Sequence, residues 1–436
     1  MKWSLDDVAA TVRGTAFGQA TITAVTTDSR HVPPASLFVA LRGEFFDGHD
    51  FAIQALNDGA AAILVEAGSQ LEPRVEATDT LQALGALGAQ RRRELNAQSV
   101  GITGSTGKTS TKDLLASALG VGTWASPKSF NNEVGVPLTV LMAPDDTEVL
   151  VLEVGSRGIG HIRNLMPIIE PDVAVITGIG LSHIATLGDV DNVRQAKWEL
   201  VEGLDGGVAV LPAAQEQLID WAFQGGIEVV TFGGRGADVE IGALELDEIG
   251  RPRFTLRSQG EQARVGLQLA GAHQASNAAA AAAAALILGR ALPDVAAGLA
   301  LARPSLWRME VHPGRFTVVN DAYNANPDSM EAALRTVAAM PGRHLAILGL
   351  MAELGPAAPE AHVAMGSLAK ELGFEVLVVV GEDPGLATGA GKIAEPVATP
   401  AEAKDAIEGV VRDGDVVLVK ASRAVGLEGL AQELAQ

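Results

Sequence analysis

Gly101-Ile102-Thr103-Gly104-Ser105-Thr106-Gly107-Lys108-Thr109-Ser110 lies between the end of an apolar run and a helix-forming stretch that continues to Leu119. A strand, a glycine loop ending in Gly-Lys-Thr and a helix, in that order, read as a phosphate-binding loop close to the GxxxxGK[ST] pattern. Gly104 and Gly107 let the backbone curl so that its N–H groups, those of Ser105 and Thr106 among them, face one point. Lys108 reaches the β and γ phosphates as a point charge. Thr109 offers a hydroxyl to Mg2+, Ser110 follows it in the first turn, and the helix N-terminus adds positive potential. The loop predicts binding of a nucleoside triphosphate. No guanine-selecting NKxD element accompanies it, which favours ATP over GTP.

Outward from the loop, helix-like and strand-like segments alternate: TSTKDLLASAL, EVLVLEVG, IGHIRNLMPIIE, DVAVITGIG. This is the βαβ rhythm of a parallel sheet. The stretch from about 229 to 270 alternates more strictly and predicts a short antiparallel elaboration. Eight consecutive alanines, Ala278 to Ala285, predict a helix with a thin surface suited to close packing. Before the loop, LDDVAATV reads as a helix capped by Ser4 with Asp7, SLFVAL as a strand, and FAIQALNDGAAAILVE as helix, turn and strand. Arg91, Arg92 and Arg93 belong at a helix C-terminus. After about residue 308, FTVVND, HLAILGL, EVLVVVG and DVVLVKA predict four strands of a second parallel unit. The expected fold is therefore α/β in three domains. These are a small α/β N-terminal domain over 1–96, a central P-loop sheet over 97–308 and a Rossmann-like C-terminal domain over 309–436.

The 436 residues suffice for about three domains. Hydrophobic residues make up 47% and rule out global disorder. Lys plus Arg total 32 against 53 Asp plus Glu, a formal charge of −21, which disfavours nucleic acid and anionic lipid as partners. There is no cysteine, so disulfides, thiolate metal sites and cysteine nucleophiles are excluded. No apolar run reaches the length of a membrane span, and the N-terminus does not read as a signal peptide. A cytoplasmic location is the expectation. No coiled-coil heptads are present, and a monomer is expected.

Three further residues draw attention by position. Glu153 closes an apolar strand, at the ligand edge of a parallel sheet, where it can hold Mg2+. His183 follows the next strand among glycines and is a ligand candidate. Lys197, on a helix, reads by itself as a solvated lysine. His161, His312 and His362 sit in no pattern that assigns them chemistry.

The segments GITGSTGKTSTK, SFNNEVGVPLT, LEVGSRGIGHI, GIGLSHIATLG, AKWEL and DAYNANPDSMEAAL together resemble the Mur ligases, and within them the branch that adds D-alanyl-D-alanine. NANPDSM at Asn324 to Met330 and MAELG at Met351 to Gly355 are the most specific elements. The resemblance implies an N-terminal domain for the UDP end of the acceptor, a central ATP domain and a C-terminal domain that closes over it. It implies phosphorylation of the terminal carboxylate of UDP-N-acetylmuramoyl tripeptide to an acyl phosphate. Attack by the amine of D-alanyl-D-alanine then gives an amide, ADP and phosphate.

The resemblance also assigns residues. Lys108 and Thr109 match the phosphate lysine and magnesium hydroxyl, Asn131 and Asn132 the asparagines near the phosphates, and Glu153 the magnesium glutamate. His183 matches a histidine at a second Mg2+, and Lys197 a lysine carried as a carbamate, whose negative charge organises cations that an ammonium would repel. His273 and Asn277 match the stretch that approaches the nucleotide. Arg315 matches an arginine that reaches ATP from the third domain. Asp321, Tyr323, Asn324, Asn326 and Pro327 match the loop that meets nucleotide and dipeptide. Lys420, Ser422 and Arg423 match a late KGSR-like element. In the first domain Ser29 and Arg30 match a TDSR element at the uridine diphosphate. Arg42, Gly43, Phe46, Asp47, Gly48 and His49 match an RGxxFDGHxF signature. Four places depart from the pattern: Leu350 for aspartate, Ala421 for glycine, Trp198 for a small residue, and Ala35-Ser36 in place of Gly-Asp.

Overall fold

A computed structural model describes residues 1–180 and 187–436. Among the described residues three large sheets are accompanied by a two-stranded antiparallel pair, Trp3–Ser4 with Thr21–Ile22. The first has five strands drawn from Thr15–Phe17, Ala24–Thr26, Ser36–Val39, Ala62–Val65 and Arg74–Glu76, and all but its outermost pair run parallel. The helix Leu5–Val12 opens on a capping box in which Ser4 accepts from the Asp7 N–H and Asp7 accepts from the Ser4 N–H. The helix Thr80–Glu94 ends on the three arginines, as their charge at a C-terminus favours.

The second sheet has nine strands. Its parallel part comprises β1 (Gln98–Thr103), β2 (Thr123–Ala125), β3 (Val149–Glu153), β4 (Val173–Ile176), β5 (Val208–Pro212) and β6 (Glu228–Gly233). β7 (Val239–Leu246), β8 (Pro252–Ser258) and β9 (Glu261–Gly266) extend it, in the order β9-β8-β7-β6-β5-β4-β1-β3-β2. The expected antiparallel elaboration is confined to β7–β9, because residues 228–233 pair in parallel with β5. One face is covered by α1 (Lys108–Leu119) and the alanine helix α4 (Gln274–Ile287), whose alanines from 278 to 285 are all fully buried. The other carries α2 (His161–Ile169) and α3 (Val190–Glu202). Methyl side chains let α4 lie close against α1, which branched residues would prevent.

The third sheet has six strands rather than the four the apolar runs predict. They are β10 (Glu310–His312), β11 (Thr317–Asn320), β12 (His344–Gly349), β13 (Val376–Val380), β14 (Ala394–Val397) and β15 (Val416–Lys420). Their order is β10-β11-β15-β12-β13-β14, parallel except for the β10–β11 hairpin. The two added strands are short edge strands with little continuous apolar character, so a hydrophobic run does not announce them. α5 (Pro327–Ala338) and α6 (Ala358–Glu371) cover one face.

β1 lies between β3 and β4, so the connections leave it in opposite directions. A crevice opens there at the strand C-terminal ends, the expected ligand position in such a sheet. The C-terminal ends of β11, β12 and β15 meet it from the third sheet.

Candidate active site

A cavity of about 2330 Å3 runs between the three sheets. That exceeds the few hundred to ~1,000 Å3 of an ordinary small-molecule site and leaves room for more than one substrate. The phosphate loop lies in its wall. Ile102 occupies the place of the first glycine of GxxxxGK[ST] and is buried in β1; Gly104 supplies the freedom instead, at φ 149°. Gly107 caps α1 at φ 80°, and a Cβ there would stand 2.3 Å from Asn277 Oδ1. Glycine is thus required for the loop and α4 to approach. Asn277 donates to Gln274 and His273 lies within 3.1 Å of it, so the start of α4 is tied together beside the loop.

Lys108 Nζ donates to Gly104 O at 2.6 Å, curling over the loop. Desolvation pushes its ammonium below the usual lysine range, with the Glu153 carboxylate opposing that shift. Glu153 is 1% exposed, and its carboxylate accepts from Thr109 Oγ1 at 2.8 Å and Asn131 Nδ2 at 2.7 Å. Thr109, Asn131 and Glu153 are therefore brought together as expected. Asn132 is turned elsewhere: its Oδ1 accepts from Gly135 N and caps the following helix, though the residue borders the cavity. Ser105 and Gly180 exchange hydrogen bonds, which joins the loop to the end of β4.

Lys197 is fully buried behind the cavity wall, with Nζ donating to Ser156 Oγ at 2.9 Å. Ser156 itself borders the cavity. Burial, reinforced by nearby Lys108, drives the Lys197 ammonium well below the usual lysine range. The solvated lysine that a helix position suggests is not found. Trp198, the bulky neighbour, packs edge-on against Trp221 with ring centroids 5.5 Å apart. His183 lies outside the described residues.

The third sheet supplies the opposite wall. Lys420, 1% exposed, donates to Asp321 Oδ2 at 2.5 Å and to Asn324 O at 2.8 Å. Asp321 also accepts from Met309 N. Lys420 is thus a fastener for the 321–325 loop. Asn326 caps α5 by accepting from Ser329 N, and Pro327 holds the first helical position without entering the cavity wall. Ser422 accepts from Ala352 N and joins this loop to the end of β12. Ala421 is buried, packs its methyl 3.0 Å from where a Gly349 Cβ would stand, and keeps a backbone outside the left-handed region. Arg423 lies over the Trp307 ring at 4.2 Å and pairs with Glu428.

Arg315 does not reach the cavity. It sits on the turn between β10 and β11, 59% exposed, 3.5 Å from Asp413. β11 runs from this turn back to Asp321, so a strand of four residues, about 13 Å, separates the two. Arg308 is the arginine that the sequence reading missed. It borders the cavity, its guanidinium lies 4.1 Å over the Tyr323 ring, and Nη2 donates to Ser129 Oγ of the central wall. Its signal was its place just before the strand Glu310–His312, at the entry to the third sheet.

In the first-domain wall Ser29, Arg30, Arg42, Phe46 and Gly48 border the cavity, whereas Asp47 and His49 stand behind it. Arg30 grips Asp28 with two bonds of 2.9 Å, which holds the Asp28 carboxyl down at about 2. Arg42 is paired with both Glu66 and Asp47. Each arginine thus comes with its own carboxylate. His49 accepts from Glu66 N through Nε2, so Nδ1 carries the proton toward Asp47. Ala35 stands at φ 56°, in the left-handed region where its glycine counterpart would carry no strain.

Among the described residues no group of three or more His, Asp or Glu side chains is placed to hold a metal. The Thr109 hydroxyl and Glu153 carboxylate are hard oxygen donors beside a phosphate loop, a donor set that suits Mg2+ sharing its coordination with phosphate. Among the described residues no helix is long and apolar enough to cross a membrane.

Three family models match the chain in succession. They are a Mur ligase family catalytic domain at 21–100, a Mur ligase middle domain at 102–285 and a Mur ligase glutamate ligase domain at 307–423. A curated relative, the UDP-N-acetylmuramoyl-tripeptide--D-alanyl-D-alanine ligase of Mycobacterium tuberculosis, is 38% identical over 93% of this chain and 91% of its own. The crystal structure of MurF from Acinetobacter baumannii superposes with TM-score 0.92 at 30% identity, covering 100% of this chain and 99% of that one. MurF ligase from Thermotoga maritima in complex with ADP gives TM-score 0.85 at 27% identity, covering 94% and 96%.

Proposed function

This chain belongs to the Mur ligase family, and we propose that it is the member that joins D-alanyl-D-alanine to UDP-N-acetylmuramoyl tripeptide with cleavage of ATP to ADP and phosphate. The observation that carries the reading is one cavity on which the phosphate loop, the Glu153 carboxylate and the 321–326 loop converge from two facing sheets.

A carboxylate and an amine do not condense in water at neutral pH, so the carboxylate needs a leaving group. Lys108 and the loop N–H groups hold the triphosphate, and its γ phosphorus is presented in line to the terminal carboxylate of the tripeptide. A carboxylate oxygen bonds to phosphorus and the bond to ADP breaks. The dipeptide nitrogen then attacks the acyl carbon and phosphate leaves with that oxygen. Arg308 and Lys108 offset the crowded negative charge. Closure of the third region over the site, as the resemblance implies, would exclude water, which otherwise hydrolyses the acyl phosphate.

Thr109 and Glu153 would hold Mg2+, which would neutralise phosphate charge, and the resemblance assigns a second ion to His183 and Lys197. Burial disfavours the Lys197 ammonium, which suits carbamylation: the amine nitrogen adds to CO2 and a proton departs, leaving an anion. Ser29, Arg30, Arg42, Phe46 and Gly48 take the uridine diphosphate end. Tyr323, Asn326, Ser422 and Arg423 face the dipeptide. His273, Asn277, Asp321 and Asn324 border or support the nucleotide. We place the protein in the cytoplasm, where these substrates are made, and as a monomer, since one chain supplies every wall of the cavity.

Oxygen-18 in the acceptor carboxylate should appear in the released phosphate, in a reaction that needs D-alanyl-D-alanine. Efficient use of L-alanine, D-glutamate, a diamino acid or glutamate in its place, or unlabelled phosphate, defeats the reading.

A further inference from the structure

The turn between β3 and α2, residues 155–160, is fastened along its whole length. Gly155 N donates to Asn131 O at 2.7 Å, and Ser156 Oγ accepts from the buried Lys197. Arg157 N donates to His161 Nδ1 at 3.4 Å, and the His161 ring folds back until a Cβ on Gly158 would stand 3.3 Å from its Nε2. The far end is held by Glu199 of α3. Its carboxylate accepts from Gly160 N and, at 3.1 Å, from Arg163 N. Glu199 is 2% exposed, so a buried anion is spent on two N–H groups at the head of α2 that would otherwise lack partners. α3 thus grips this turn twice, through Lys197 and through Glu199.

What the fastened turn carries is the Arg157 side chain, exposed on the cavity. Its place is close to the reaction centre. A Cβ on Gly155 would stand 3.1 Å from the Asn131 side chain, which donates to Glu153. Arg157 leaves the chain two residues later, at most about 7 Å along the backbone. The other cationic and imidazole side chains of the cavity are ten less one, and each has a place. Arg30 pairs with Asp28, Arg42 with Asp47 and Glu66, Arg423 with Glu428, and Lys420 with Asp321. Lys108 bonds Gly104 O, Arg308 bonds Ser129, and His273 lies beside Gln274. His161 holds the Arg157 turn, and Lys128 precedes Ser129, the partner of Arg308 from the third region. A carboxylate that must approach a triphosphate needs a cation of its own, and a guanidinium meets a carboxylate with two parallel N–H bonds.

We propose that Arg157 grips the terminal carboxylate of the acceptor peptide and sets it toward the γ phosphate, and that Glu199 is a positioning residue that fixes the turn carrying Arg157. This rests on the ligase reading above. The test is steady-state kinetics on the full chain with Arg157→Gln, Arg157→Lys, Lys128→Gln, Glu199→Gln and the double variant Arg157→Gln/Glu199→Gln. Loss of a charged hydrogen bond predicts a rise in KM for the acceptor of about tenfold or more in Arg157→Gln, with KM for ATP and for the dipeptide unmoved. Arg157→Lys should recover part of the loss, and Lys128→Gln should leave the acceptor KM within about twofold. Glu199→Gln should raise the acceptor KM selectively, and the double variant should be no worse than the worse single one. An acceptor whose terminal carboxylate is replaced by a carboxamide should inhibit wild type and Arg157→Gln equally well. An unchanged acceptor KM in Arg157→Gln, a tenfold rise in Lys128→Gln, or loss of carboxamide inhibition in Arg157→Gln overturns the assignment of Arg157. Additive effects, equal shifts for all three substrates, or failure of Glu199→Gln to fold mark Glu199 as merely structural and overturn its role. A wild type that releases no phosphate with acceptor and dipeptide together would instead sink the ligase reading.

Discussion

Lys197 shows what burial does to one residue. Burial holds its ammonium well below the ordinary lysine range in the fold, whereas the unfolded chain keeps the proton up to about pH 10.4. Between the lowered folded value and that one, the unfolded state binds the extra proton, so this residue makes stability rise with pH across the window. Below the folded value the ammonium is buried and the cost is greatest. Lys197→Met should therefore flatten the rise of the urea midpoint from neutral to alkaline pH in carbonate-free buffer, and raise the midpoint at neutral pH. It should also abolish ligation. A variant that kept both the wild-type pH slope and activity would contradict this account. The residue type could be read as a solvated lysine in the sequence, because helix position says nothing about which face the tertiary packing covers. Resemblance alone pointed to the carbamate.

Among elements, α4 is the most legible and the most exposed to perturbation. Eight adjacent alanines predict a helix without any ambiguity of period, and all eight are buried against α1 and the sheet. Volume is the constraint at this contact. Ala281→Leu should cost about 1–3 kcal/mol by overpacking, measured as a fall in the denaturant midpoint at unchanged slope. Strands with continuous apolar runs, such as β3, β12 and β15, were equally plain. β10 and β14 were not, since a short edge strand with half-exposed residues has no periodic signature. The β10–β11 hairpin in turn decides the fate of two arginines seven residues apart, sending Arg315 to an outer turn and leaving Arg308 at the cavity.

That difference is tested at the scale of the molecule, because Arg308 links separate walls. Its guanidinium stacks on Tyr323 of the third region and bonds Ser129 of the central one, while Arg315 meets only its own region. Arg308→Ala should lower kcat/KM for ATP by at least about tenfold, the loss of one charged hydrogen bond at a phosphate-binding cavity. Arg315→Ala should leave it within about twofold, as for an exposed ion pair. The opposite ranking would restore the sequence assignment.

The phosphate loop, the strand-closing Glu153 and the alternation of strands and helices were fixed by the chain itself, because each depends on residues close together in sequence: a curl that needs glycine, a period that needs apolar side chains. Folding alone decided that Lys197 is dry, that Arg30 and Arg42 arrive already paired, that Arg308 rather than Arg315 faces the cavity, and that His362 clamps the loop of Glu353. Burial, charge pairing and the reach of a side chain depend on neighbours distant in the chain, and only packed elements bring those together.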